Sequence, residues 1–241
     1  MKKSMVAALI GLAVGLGSAF DSQAEETRSW NWSPLGIGLA APLQLPFMET
    51  DIYGLRLGGF FGANADVYGL DCGAVELTKG DFAGLQAALF TWTYGNAYGL
   101  QIGAFANVVE GQTYGLQAGC VNVDWAAVTG LQLGLVNYDV DFTGLQFGLL
   151  DWNVSASKGC QIGVVNANQD DFAGASIGLV NFANTFTGCQ LGLLNSVKEV
   201  TGCQIGLING CDKMRGVQFG LFNLITSSAK LPIMVFANAS F

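Results

Sequence analysis

The sequence predicts an all-β fold built from one short tandem repeat, and two observations carry this prediction. A glycine recurs at intervals of 14 to 16 residues in twelve successive copies. Around each of these glycines, glycine or polar residues alternate with apolar ones, as in "GLQLGL" at 130–135. A period of two residues is typical of a β-strand, and two glycines in so short a segment disfavour a helix. The repeating glycines are Gly54, Gly69, Gly84, Gly99, Gly115, Gly130, Gly144, Gly159, Gly174, Gly188, Gly202 and Gly216.

Each copy reads as an eleven-residue segment followed by a variable connector, and we number its positions on 142–152, "FTGLQFGLLDW". Positions 3 and 7 are then almost always glycine, and positions 4, 6 and 8 are apolar in nearly every copy. Position 5 is glutamine in nine copies: Gln86, Gln101, Gln117, Gln132, Gln146, Gln161, Gln190, Gln204 and Gln218. Position 10 is asparagine in seven: Asn122, Asn137, Asn166, Asn181, Asn195, Asn209 and Asn223. The early copies depart from both columns, with Arg56 and Asp71 at position 5 and Glu76 and Thr91 at position 10.

The first architecture that fits is an outer-membrane-type β-barrel, an antiparallel meander of about 14 strands. Twelve repeat segments and one flanking strand at each end, within 29–41 and 231–241, give that number. Eleven residues match the length of a tilted strand that spans a bilayer, and bacterial barrels have an even number of strands. Positions 4, 6 and 8 would face lipid, and the glutamine column would line the lumen.

The alternative architecture is a β-solenoid with 14–16 residues per coil. Positions 4, 6 and 8 would then stack inward, the glycines would lie at corners, and glutamines and asparagines would form amide ladders. A period of one unit favours this alternative, because neighbouring strands of a meander run in opposite directions and odd and even copies should differ. Position 2 shows no such difference, since Tyr53, Tyr68, Tyr98 and Tyr114 occur in both.

The first 24 residues are expected to be a signal peptide. Lys2 and Lys3 are followed by an apolar stretch and by the small residues of "SQA" at 22–24, the pattern that a signal peptidase reads. Residues 25–241 then form a single all-β repeat domain, with twelve repeats over about 52–224 and a closing strand at 231–241. The sequence therefore predicts an exported protein.

Composition excludes several classes of function. The chain has 18 acidic and 10 basic residues, which disfavours nucleic acid as a partner. It has no histidine, the commonest general base and metal ligand. The acidic connector pairs Asp139 with Asp141 and Asp170 with Asp171 lack the spacing of a calcium loop, and we interpret them as solvated turns. We expect no enzymatic activity, no catalytic or metal-ligating residue and no cofactor.

The cysteines are interpreted as structural. Cys160, Cys189 and Cys203 occupy position 4, where other copies mostly have leucine, and behave as small buried apolar residues in this interpretation. Cys211 falls in a connector and is the candidate reactive thiol. Export permits disulfides, and whether any of the six cysteines form them stays open.

The segments "YGLQIG" at 98–103, "TGLQLGLVN" at 129–137 and "TGCQIGLIN" at 201–209 resemble a family of bacterial surface-repeat proteins. The hallmark of that family is a tandem GLQxGLxN unit behind a signal peptide, and the resemblance covers about 30–241. It implies a location at the outer membrane or cell surface and no defined activity. We expect a membrane-spanning barrel with a structural or passive pore role and outer-membrane lipid as its partner. The alternative is a surface solenoid that acts as an adhesin or interaction scaffold, whose protein or glycan partner stays open.

Overall fold

A computed structural model describes residues 32–40, 43–227 and 232–240. The regular secondary structure in these ranges consists of β-strands alone. They belong to one compact unit, Asn31–Phe241, while the predicted signal peptide lies outside the described residues. The strands are β1 Trp32–Ala40, β2 Leu43–Leu45, β3 Asp51–Asn64, β4 Val67–Cys72, β5 Val75–Thr78, β6 Phe82–Thr93, β7 Ala97–Val109, β8 Thr113–Leu133, β9 Val136–Phe147, β10 Leu150–Asn153, β11 Ser157–Ile162, β12 Val165–Ile177, β13 Val180–Leu191, β14 Leu194–Ile225 and β15 Ile233–Ser240. Among these residues no helix has the length and apolar composition needed to cross a membrane.

The strands stack in parallel, one coil per repeat, and form a β-solenoid of about 11 turns. Each repeat position lies beside the same position of the next coil, as in the pairs Gly159↔Gly174 and Cys189↔Cys203. The predicted antiparallel barrel of about 14 strands is therefore wrong, and the solenoid alternative is confirmed. A repeat of one unit places like residues side by side only when neighbouring strands run in the same direction.

The repeat positions that are buried also differ from those predicted for a solenoid. In the coil that begins at Phe142, positions 1, 5 and 10 are buried, and these are Phe142, Gln146 and Asp151. Positions 4, 6 and 8 point outward, so that Leu145 and Leu149 are about half exposed. Because successive side chains of a strand face opposite sides, a buried position 5 forces positions 4 and 6 to the surface. The interior is polar at its centre and the exterior is apolar.

Each coil has two faces joined by a corner. The strand over positions 1 to 6 forms the first face, as in β11, Ser157–Ile162. The chain bends at positions 7 and 8, and the strand from position 9 onward forms the second face, as in β10, Leu150–Asn153. The connector closes the coil on the opposite edge. Position 7 thus lies at a corner, as expected, whereas position 3 lies within a strand.

Glycine at position 3 is required by the backbone and by the neighbouring coil. Gly144 has a φ of +143°, a conformation that side chains of L-residues rarely adopt. A Cβ atom at Gly144 would overlap the carbonyl oxygen of Gly130 in the preceding coil. Position 7 is restricted in another way, because a Cβ at Gly163 would lie 2.8 Å from Asn166 Oδ1 inside the coil.

Both ends of the stack carry antiparallel pairs. β1 pairs with the short strand β2 at the N-terminal end, and β15, which lies within the predicted closing segment, pairs with Gly216–Leu224 of the last coil. These additions occupy strand edges that would otherwise offer unpaired backbone groups to another chain.

The glycine requirement gives a first prediction. Gly144→Ala should lower the free energy of unfolding by about 3 kcal/mol, because the substitution combines an unfavourable φ with backbone overlap. Gly210→Ala is the matched control, since its Cβ would meet only one atom, at 4.0 Å, and its φ is ordinary. Denaturant titration followed by circular dichroism measures both variants. Equal midpoints for the two variants would contradict the parallel stacking of position 3.

The register gives a second prediction, for Cys189 and Cys203. Neighbouring strands lie about 4.8 Å apart, within the Cα separation that a disulfide spans. Mild oxidation should therefore link these two cysteines within one molecule, as measured by intact mass and peptide mapping. Cys160 serves as the control, because Ala175 separates it from Cys189 by one coil and a direct bond between them should not form. Bridging of Cys189 and Cys203 only by a long cross-linker would argue against the solenoid.

Candidate functional site

The glutamine column forms a hydrogen-bonded ladder along the solenoid axis. All nine glutamines are at most 2% exposed. The Nε2 of Gln132 donates to Gln117 Oε1 at 2.9 Å, and Gln161 Nε2 donates to Gln146 Oε1 at 2.8 Å. The column is broken at Ser176, whose side chain is too short to continue it, and Gln190 Nε2 in the next coil has no hydrogen-bond partner. These amides bond to one another and do not line an open lumen.

The asparagine column forms a second ladder and also supports the corner. Asn181 Nδ2 donates to Asn195 Oδ1 at 2.7 Å and to the position-6 carbonyl oxygen of Leu191 at 3.1 Å. Asn107 belongs to the same ladder, since its Nδ2 donates to Asn122 Oδ1 at 2.8 Å. Sequence reasoning missed Asn107 because its coil is 16 residues long, which moves the asparagine from position 10 to position 11.

Asp151 replaces asparagine within this ladder. Asn137 Nδ2 donates to Asp151 Oδ1 at 2.6 Å. On the other side, Asp151 Oδ2 and the Oδ1 of its register neighbour Asn166 both lack a partner, so a donor is missing between them. Burial raises the pKa of Asp151 to about 6. A protonated Asp151 supplies the missing O–H donor and completes the ladder.

Two further buried carboxyls lie at the first connector position, Asp124 and Asp139. They are register neighbours, and Gln132 Nε2 lies within hydrogen-bond distance of both, 2.9 Å from Asp124 Oδ2 and 2.8 Å from Asp139 Oδ1. Burial raises the pKa of Asp124 to about 7, and burial together with the Asp124 charge raises the pKa of Asp139. The interpretation of Asp139 as a solvated turn residue is wrong, because the first connector residue still faces inward. Asp170, by contrast, is exposed.

The departures in the first copies form a buried ionic group that continues the glutamine column. Arg56 Nε donates to Asp71 Oδ1 at 2.7 Å, and Gln86 Nε2 donates to Asp71 Oδ2 at 2.7 Å. Glu76 lies within 3.2 Å of Arg56 Nε, but that N–H points to Asp71 and both Glu76 oxygens lack a hydrogen bond. Burial outweighs the attraction of Arg56 and raises the pKa of Glu76 to about 8.

The burial of the cysteines is opposite to the prediction: the position-4 cysteines, expected to be buried, lie at the surface, and Cys211, expected to be reactive, is buried. Cys189 is exposed and Cys160 and Cys203 are partly exposed on the outer face, so position 4 is not a core position. Cys211, the candidate reactive thiol, is buried beside Val197 and Ile225. Burial raises the pKa of Cys211 to about 11, which suppresses the thiolate that reacts.

The outer surface of the solenoid carries rows of apolar side chains. Leucine, isoleucine, valine and phenylalanine at positions 4, 6 and 8 repeat from coil to coil, while charged residues such as Lys79 and Glu199 lie on the connectors. Position 2 adds tyrosines near the connector edge, and Tyr98 and Tyr114 stack with ring centres 5.4 Å apart. A shallow groove of about 540 Å³ crosses the last coils, where Ala167, Ser196 and Gly210 are small.

These features define the chain as a parallel β-solenoid with a polar amide interior and an apolar exterior. The described residues contain no group of three or more cysteine, aspartate or glutamate side chains arranged to hold a metal ion. In comparisons with known proteins, no protein-family model, no curated protein and no solved structure matches the chain. The function must therefore be inferred from the chain's own residues.

The buried carboxyls give a third prediction, on pH. A carboxyl whose pKa is raised in the folded state contributes most stability below its unfolded value, near 4, and this contribution is lost as the pH rises through the folded value. Unfolding should therefore become easier between about pH 4 and pH 8. Asp139→Asn preserves the shape of the side chain but cannot ionise, so it should raise the free energy of unfolding at pH 8.

Chemical denaturation at pH 4, 6 and 8 measures this effect as the difference between variant and parent. The difference should be near zero at pH 4 and grow with pH. Asp170→Asn is the control, because Asp170 is exposed and its replacement should give no such trend. A pH-independent difference for Asp139→Asn would show that the buried acids do not take up protons on folding.

Proposed function

We propose that this protein is an exported, non-enzymatic β-solenoid that serves as an interaction scaffold at the outer membrane or surface of a bacterial cell. The inverted coil carries the proposal. The polar amides bond to one another inside, and rows of apolar side chains face outward with the same spacing in every coil. Such a surface is built to contact something other than water.

The buried acids support a structural role rather than catalysis. Asp124, Asp139 and Asp151 have strongly raised pKa values, which often mark active sites. Here, however, all three are fully buried within the stack, and Gln132 and Asn137 bond to them. A substrate has no route to these groups, whereas their hydrogen bonds join neighbouring coils.

The outer rows support a contact role. Monomeric proteins rarely expose continuous apolar patches of more than a few hundred Å², and larger ones mark sites of interaction. In this chain Leu135, Leu149 and Leu179 are each at least half exposed at position 8 of different coils, so the apolar surface continues along the stack. The excess of acidic residues disfavours nucleic acid as the partner.

Export is supported by the sequence. The basic and then apolar start, with "SQA" at 22–24, has the form of a signal peptide, and the GLQxGLxN repeats resemble those of bacterial surface proteins. We therefore propose that the mature chain begins at Glu25 and functions outside the cytoplasm.

A fourth prediction tests this location. An epitope inserted between the exposed residues Asp170 and Asp171 should be accessible to antibody and protease on intact bacteria that express the full chain. The amino terminus of the recovered protein, determined by mass spectrometry, should be Glu25. The control lacks residues 2–24 and should stay inside the cell. Recovery of the full chain from the cytoplasm with residues 1–24 still attached would contradict the proposal.

A further inference from the structure

We propose that one edge of the solenoid is seated in a lipid bilayer, with the solenoid axis parallel to the membrane plane. The edge is formed by the side chains of positions 6 and 8, here called the apolar corner. The inference rests on the proposed surface function and names the ligand of that surface, the acyl chains of lipid. The chain would lie in one leaflet and would not span the membrane.

The apolar corner is a continuous ridge. Ala104 and Cys120 occupy position 8 in the two coils between Leu89 and Leu135. The larger position-8 residues are 39–54% exposed, and they are Leu89, Leu135, Leu149, Val164, Leu179, Leu193, Leu207 and Leu221. Position 6 forms a parallel row beside them that includes Leu133, Phe147, Ile162, Ile177, Leu191, Ile205 and Phe219. With coils about 4.8 Å apart, the ridge from Leu89 to Leu221 is roughly 40 Å long.

The backbone donors of the corner are already bonded, which entry into hydrocarbon requires. Gly134 N donates to Phe147 O at 2.9 Å, and Leu135 N donates to Cys120 O at 2.9 Å. Phe147 O also accepts a bond from Asn137 Nδ2 at 3.2 Å. The asparagine ladder thus holds the bend from within, and these N–H groups do not depend on water.

The order of residue types around the coil follows the order of a bilayer from its interior to water. Aliphatic residues occupy the corner, and aromatic residues follow on both faces, with Tyr98 and Tyr114 at position 2 and Trp92 and Tyr138 at position 11. Exposed charged residues lie on the connectors at the opposite edge, as Lys213 does with Glu199, and at the adjoining position 2, as Lys158 and Arg215 do. Tyrosine and tryptophan are enriched at membrane–water interfaces, where one end of the side chain is apolar and the other polar.

The regularity of the ridge favours lipid over a protein partner. Protein interfaces use polar groups within and around the contact to fix the position of the partner, typically about one hydrogen bond per 100–200 Å². From Leu133 to Leu221 the two rows of the corner consist only of leucine, isoleucine, valine and phenylalanine, so a rigid partner could slip by one coil at little cost. Acyl chains need no fixed register. The connectors carry more acidic than basic residues, so binding should not require anionic headgroups.

A fifth prediction tests insertion of the apolar corner into lipid. The purified mature chain is subjected to flotation with phosphatidylcholine vesicles, with and without anionic phosphatidylglycerol. We expect binding to both compositions, and 1 M salt should not weaken it, because apolar contact is not screened. Combined Leu149→Ser, Leu179→Ser and Leu193→Ser substitutions should weaken binding roughly 100-fold. The matched control is Leu70→Ser, Leu85→Ser and Leu145→Ser, which removes leucines of similar exposure at position 4, on the first face outside the corner, and should weaken binding much less. Circular dichroism verifies that both variants fold.

Orientation is measured with a polarity-sensitive fluorophore on Cys120, which is exposed at position 8, after the other five cysteines are replaced by serine. Its emission should shift to the blue on binding, and quenchers in the acyl chains should reduce it. The same fluorophore on Asp170→Cys, at the connector edge, should stay in water. Flotation with anionic vesicles only, or its loss in salt, would overturn the proposal in favour of headgroup attraction.

Two other outcomes would also overturn the proposal. Failure to float, with the Cys120 fluorophore shielded only as protein concentration rises, would identify a second copy of the chain as the occupant. A surface-accessible chain that does not float would refute the lipid seat and leave the proposed function standing. A chain that floats but is not exported would refute the proposed function at the cell surface and support the insertion into lipid.

Discussion

Hydrogen bonds between side-chain amides of successive coils are the constraint on which the rest of this structure depends. A buried amide without a partner costs about 1–3 kcal/mol, so each amide must find its partner in the neighbouring coil at the same height and orientation. That requirement fixes the register, as the Gln146–Gln132 and Asn181–Asn195 bonds illustrate. It also explains why position 7 is glycine, because a Cβ at Gly163 would enter the space of the asparagine ladder. The sequence therefore repeats because every coil must meet the same geometric requirement.

A polar interior determines what the outside can be. Side chains alternate along a strand, so inward Gln161 leaves Cys160 and Ile162 facing outward. In most β-proteins this alternation places apolar residues in the core and polar residues in water. Here the amide ladders occupy the core, and the aliphatic residues of the same strands form the surface. Apolar side chains still fill part of the interior at position 1, where Phe172 and Phe186 stack with ring centres 5.5 Å apart.

The sequence predicted the elements better than their arrangement. Spacing and alternation gave the strands, the corner at position 7 and, in the solenoid alternative, the two amide ladders. They did not determine which side of a strand is buried, because a lumen facing water and a core filled with amides both place glutamine opposite leucine. The informative signal was the lack of any difference between odd and even copies at position 2, and Tyr53 and Tyr68 do stack as register neighbours. Asp124 and Asp139 were missed because an eleven-residue segment ends one residue before the last inward position.

The interior is not uniform along the axis, and this has consequences for how the stack opens. The first connector position carries Asp124, Asp139 and Asn153 in the middle coils, but Ala183 and Val197 in later ones. Ser176 interrupts the glutamine column close to the point where this change occurs. Solenoids unfold as chains of neighbouring units, so a weak contact between two coils separates the stack into segments of different stability. The later coils combine both ladders with an apolar cluster and hold no buried acid at these positions. The middle coils depend on carboxyls that must keep their protons. Rising pH therefore loosens the middle of the stack first, while the apolar cluster at the C-terminal end holds its coils together.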